Sequence, residues 1–232
     1  MKQKQLVDSP YEKKGDIIVQ NKSRRKFFTQ AAGLASIAAF AAACDKDDNN
    51  MSGAVDLGTG DFGILNYAYA LEQLEAAFYT QVVATPYSGM NAVETSFMTD
   101  IRDHEIAHRE FFKAALGTMA IKALEVDFST ITFTSRDSVL ATAKAFEDLG
   151  VTAYNGAGYL IKDANYLLLA GKIVSVEARH AALIRELIAA NSFLGDSVDS
   201  NSVNLSRTPD EVLAIAGTYI KTKINASNLP KG

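Results

Sequence analysis

Between Asp61 and about Ala84, apolar and aromatic side chains return every three or four residues, at Leu65, Tyr69, Leu71, Leu74, Phe78 and Val82. That interval is the helical period and predicts a helix with one face turned to a core. A second helix is predicted from Asn91, whose side chain caps the chain while Glu94, three residues on, reaches back to complete a capping box. It runs to about Leu116, where Gly117 supplies the stop. From Thr118 to Ser135 the period changes, and Val126, Phe128, Ile131 and Phe133 suit an extended crossover. A third helix is expected from Arg136 to about Tyr154, ending or kinking at Gly156 and Gly158, each of which costs a helix up to about 1 kcal/mol relative to alanine. The fourth, Asp163 to about Ala190, is apolar through Tyr166, Leu167, Leu168, Ile173, Val176, Leu183, Ile184 and Leu187. Thr208, Pro209 and Glu211 give a capped start to a short helix that ends near Ile220 and is expected to pack outside the others. The pattern predicts an all-α protein: a four-helix bundle with one long crossover between its second and third helices.

Composition narrows this to one main domain, because 232 residues that are 48% hydrophobic can bury one sizeable core. The formal charge of -4 conceals an asymmetry. Residues 1–43 carry eight Lys/Arg against three Asp/Glu, which leaves 15 basic and 24 acidic residues for the rest. A body that acidic repels polyanions, so nucleic acid is excluded as a partner. The single cysteine, Cys44, rules out an internal disulfide framework and a thiolate-rich metal site.

The basic beginning is an address. Ser23, Arg24, Arg25, Lys26, Phe27 and Phe28 resemble the twin-arginine export signal, and an apolar stretch from Ala31 to Ala43 follows. At about 13 residues that stretch falls short of the roughly 20 a membrane-spanning helix needs. Ala41, Ala42 and Ala43 lead into Cys44, resembling a relaxed lipobox in which Cys44 is lipidated; Ala41 departs from the larger aliphatic residue usual there. Asp45, Lys46, Asp47 and Asp48 resemble the acidic signals that send lipoproteins to the cell surface. The expected organisation is a leader with lipobox over 1–43, a flexible tether over 44–60, the bundle over 61–190, and a C-terminal extension with its short helix over 191–232. The expected location is the cell envelope, reached by twin-arginine export and held by a lipid at Cys44.

Candidate chemistry lies in the histidines. Two of the three end the same motif: Glu105 with His108 on the second predicted helix, and Glu177 with His180 on the fourth. Residues three apart on a helix lie about 60° apart around the axis and about 4.5 Å along it, so each pair can grip one ion from one side. The halves also repeat, Leu71-Glu72 through Tyr79 aligning with Phe146-Glu147 through Tyr154, which matches Glu72 with Glu147. Glu75 lies one turn beyond Glu72 and is an alternative first-helix ligand, although the repeat sets Gly150 opposite it. His104 points about 100° away from Glu105 and reads as a surface histidine or one that backs a ligand. Tyr69, Tyr79 and Tyr154 could donate hydrogen bonds near the site or serve in electron transfer, but tyrosine at helical spacing reads first as core or rim packing, and they are left out of the site.

A Glu on each of two helices with Glu-x-x-His on each of the other two resembles the ligand pattern of the ferritin-like di-iron and di-manganese carboxylate proteins. The chain looks like their secreted, twin-arginine-exported branch, which includes desiccation-related proteins. The resemblance implies that Glu105 and Glu177 bridge two ions, that Glu72 and Glu147 are terminal carboxylates, and that His108 and His180 each supply one nitrogen. It implies two iron or manganese ions as cofactors, with zinc compatible, and oxygen or peroxide as the small-molecule substrate of an oxidase or detoxifying centre. Two rival expectations are metal storage or buffering without turnover, and a metal-free structural or stress-protective surface protein. A homodimer suits such bundles. Charge supports a metal independently, since each buried, unpaired carboxylate costs several kcal/mol and two divalent cations cancel four of them.

Overall fold

A computed structural model of the protein describes residues 53–231. The expected leader, the lipobox and Cys44 lie outside the described residues, as does most of the tether. Four long helices form the body: α1 Gly60–Ala84, α2 Ala92–Leu116, α3 Arg136–Gly158 and α4 Ala164–Ile188, with a short α5 at Pro209–Ala216. The architecture is a ferritin-like helical bundle. The helices pair as two hairpins, α1 with α2 and α3 with α4, and α1 packs on α3 across the seam. Among the described residues no helix is long and apolar enough to cross a membrane.

Capping places the helices along the chain. Asn91 accepts hydrogen bonds from the backbone N–H of Val93 and Glu94, and the Glu94 carboxylate returns to the Asn91 backbone, so the expected capping box is formed. Gly117 ends α2 at a φ of 56°, a conformation glycine adopts at little cost. Asp61, in the first turn of α1, accepts from the backbone N–H of Lys162 and Asp163 and so ties the α3–α4 turn to the start of the bundle.

α1 is buried nearly all round, which explains why apolar residues dominate it on every side. Its few polar side chains have assigned work. Asn66 donates to the carbonyls of Leu57 and Met119 and accepts from the backbone of Ile121, while Gln73 accepts from Leu124. These bonds fix the crossover between α2 and α3. That crossover also packs aromatic rings onto α1, Phe128 and Phe133 lying 6.0 and 5.9 Å from Phe78.

α3 continues four residues past its expected end at Tyr154, through Gly156 to Gly158. The reason is tertiary: a Cβ on Gly156 would lie 1.8 Å from the carbonyl oxygen of Arg207, so only glycine lets the returning chain cross the helix there. α4 stops at Ile188, slightly before Ala190. The short C-terminal helix, expected to pack outside the others, packs against α3 and is integrated with the core: Val212 and Ala216 are fully buried and the Tyr219 ring sits 4.8 Å from that of Phe146. The tether expected over 44–60 is likewise held at its far end. Val55–Asp56 (β1) pairs in parallel with Ile224–Asn225 (β2), and Leu57 is fully buried.

Candidate metal centre

The sequence-derived residues converge at one level in the bundle. Glu72 comes from α1, Glu105 and His108 from α2, Glu147 from α3, and Glu177 and His180 from α4. The four glutamates are completely buried, His180 is buried, and His108 is nearly so. They form two groups of possible ligands, Glu72, Glu105, His108 and Glu177 in one and Glu105, Glu147, Glu177 and His180 in the other. Glu105 and Glu177 belong to both.

The distances are nearly two-fold symmetric. His108 Nδ1 lies 2.9 Å from Glu177 Oε1, 3.4 Å from Glu72 Oε2 and 3.7 Å from Glu105 Oε2. His180 Nδ1 lies 2.8 Å from Glu105 Oε1, 3.5 Å from Glu147 Oε2 and 3.7 Å from Glu177 Oε2. Each shared glutamate thus turns one oxygen to each histidine, as a carboxylate bridging two ions must. The nearer histidine belongs in both cases to the other helix's motif.

These atoms are close without being hydrogen-bonded. Glu72 Oε2, both oxygens of Glu105 and of Glu177, Glu147 Oε2 and the two Nδ1 atoms are buried and lack hydrogen-bond partners. Orphaned buried polar atoms are costly, and so many in one place fit a cation directed to by all of them. Size agrees. Donors held about 2.2 Å from one ion lie at most about 4.4 Å apart, and each histidine Nδ1 lies between 2.8 and 3.7 Å from the three carboxylate oxygens of its group. Carboxylate oxygen with one imidazole per ion suits iron or manganese and tolerates zinc.

Without metal the cluster holds protons instead. Burial opposes charge on His180, but Glu147, Glu105 and Glu177 outweigh it and push its pKa up to about 12. His108 is raised in the same way against its own burial by Glu105, Glu177 and Glu72. The two histidines overcome burial at Glu177 and lower it to about 2. Burial raises Glu105 and Glu147, with Glu177 adding to both.

The outer carboxylate oxygens are held by two tyrosines in the hydrogen-bonding role that the sequence ranked behind packing. Tyr79 of α1 donates to Glu147 Oε1 of α3 at 2.5 Å, and Tyr154 of α3 donates to Glu72 Oε1 of α1. Each Tyr stands seven residues after the Glu of its own repeat and binds the Glu of the other. The i+7 spacing in both repeats was the available signal. Tyr69 is buried elsewhere in the core and makes no hydrogen bond to these residues.

Glu75 is also buried, with Oε1 unpartnered, but belongs to neither group of four. Burial and the surrounding carboxylates Glu105, Glu177, Glu147 and Glu72 raise its pKa well above the ordinary value. Its oxygen fits because residue 150 is glycine: a Cβ there would stand 3.2 Å from Glu75 Oε1. His104, exposed on α2, touches the outer nitrogen of His180.

A helical bundle whose core gathers four glutamates and two histidines in this way is one able to hold metal ions. The chain belongs to the ferritin-like domain family, whose model, described as Ferritin-like domain, matches residues 60–190. No curated protein gives a significant match.

Proposed function

We propose that the protein binds a dinuclear iron or manganese centre in its core and uses it to react with oxygen or peroxide, in a detoxifying or oxidase role. One observation carries the reading: Glu105 and Glu177 are common to both ligand groups and direct separate oxygens at separate histidines. A pair of iron or manganese ions held by these residues would supply redox chemistry between divalent and trivalent states. The chain's own residues do the rest. Glu72 and Glu147 would each hold one ion from one side, and Tyr154 and Tyr79 orient them. The buried walls keep bulk water away from the carboxylates, which strengthens their hold on a cation.

Anaerobic titration with Fe(II) or Mn(II) tests this. Two ions per chain are expected in the wild type, and none in the double variant Glu105→Gln, Glu177→Gln, since both sites lose their shared ligand. Wild-type binding well below two ions per chain overturns the proposal. Peroxide consumption by the loaded protein then separates a reactive centre from storage without turnover. We also propose export and lipidation at Cys44, supported by the order of Arg24, Arg25, the apolar stretch and Cys44 in the sequence. Mass spectrometry of the protein from its native host, finding Cys44 unmodified or residues 1–43 still attached, overturns that part.

A further inference from the structure

The two halves of the centre match in their inner contacts but differ behind the histidines. His104 Nδ1 lies 2.9 Å from His180 Nε2, with the two rings only 13° from parallel. Among the described residues no side chain forms a hydrogen bond with Nε2 of His108. The repeat explains the difference: aligning Glu105 and His108 with Glu177 and His180 sets His104 opposite Val176, which has no polar group to offer.

We propose that His104 is a positioning residue that makes the metal site at His180 the tighter of the two, so that the ions load in sequence. The inference rests on the dinuclear reading above. His180 faces the carboxylate cluster with Nδ1, and a neutral imidazole that ligates through Nδ1 carries its proton on Nε2. That N–H donates to His104 Nδ1, which therefore holds a lone pair and leaves the His104 proton on its outer nitrogen. The bond fixes the His180 ring plane and draws its proton outward, making the inner nitrogen a stronger donor to metal. His108 gains neither effect from the described residues. Partners of this kind change metal affinity by about 10–100-fold.

Stepwise Mn(II) titration of the full chain, followed by calorimetry and by the electron paramagnetic resonance of the bound ion, provides the test. The wild type is expected to bind in two steps at least about 10-fold apart. His104→Leu should weaken the tighter step by about 10–100-fold and leave the weaker one unchanged. His104→Asp, a charged acceptor, should keep the tighter step tight. Equal wild-type affinities, no change in His104→Leu, equal weakening of both steps, or loss of the tight step in His104→Asp each overturn the inference. Failure of the wild type to bind Mn(II) or Fe(II) at all overturns the dinuclear reading instead.

Discussion

Tyr79 on α1 donates a 2.5 Å hydrogen bond to Glu147 on α3, and the same bond recurs in reverse from Tyr154 to Glu72. The pair stitches α1 to α3 across the seam between the hairpins, where those helices pack on each other less extensively than the partners within either hairpin. It also leaves each carboxylate with one oxygen anchored and the other free toward the cluster. Replacing either hydroxyl leaves a buried carboxylate oxygen without a donor. Tyr79→Phe and Tyr154→Phe are each expected to cost about 2 kcal/mol of stability in denaturant unfolding. Each should also weaken metal binding by about 10-fold, and the near two-fold arrangement predicts that the two variants behave alike. Unchanged unfolding and affinity in both would show that the hydroxyls contribute nothing.

Metal removal should be felt throughout the bundle. With its cations gone, the cluster must keep four buried carboxylates within reach of one another, so exhaustive chelation is expected to lower the melting temperature and to restore it on adding back Mn(II). A melting temperature indifferent to chelation, in protein shown to have been loaded, contradicts this.

Two glycines near the end of α3 have opposite expectations. Alanine normally helps a helix interior by up to about 1 kcal/mol relative to glycine, yet Gly156→Ala would set its Cβ 1.8 Å from the Arg207 backbone. The returning chain must move, so a loss of several kcal/mol is expected, on the order of an overpacked core. At Gly158 the nearest atom to a Cβ is Leu167 Cδ1 at 3.7 Å, an ordinary contact, and Gly158→Ala should be neutral or slightly stabilising. Thermal unfolding of both variants compares them directly.

Glu94 gives a pH dependence separate from the metal centre. Burial raises its pKa, but the Asn91 backbone N–H and Arg136, 2.8 Å away, prevail and hold it below the ordinary 4.5. A carboxylate lowered in the folded state contributes stability above its unfolded pKa and loses it as pH falls through the folded value. Unfolding free energy should therefore decline below about pH 4.5 more steeply in the wild type than in Glu94→Gln. Parallel curves in that range would rule out the contribution.

Much of this was written in the sequence because it is local. The helical period of α1, the Asn91 and Glu94 cap, and the spacing of Glu105 with His108 and Glu177 with His180 all repeat within a turn or two. What was not legible depends on segments distant in sequence. Val55 and Ile224 pair across the whole domain with no local mark, and Gly156 reads as a weak helix residue until Arg207 is seen crossing it. Tyr79 and Tyr154 have the spacing of core aromatics, and only the approach of α1 to α3 gives their hydroxyls a carboxylate. His104 points away from the cluster on its own helix, yet α4 lies on that side and brings the back of His180 to it.

The sharing of Glu105 and Glu177 also bears on assembly. Each ligand group takes three residues from one hairpin and borrows the fourth from the other. Neither hairpin owns a complete cage, so the cage comes into being only when they dock, and docking is what forces the carboxylates together. Closure of the bundle and assembly of the ligand set are therefore one event. Parting the two hairpins thus breaks both ligand groups at once, whereas fraying of one hairpin leaves three ligands of the other together.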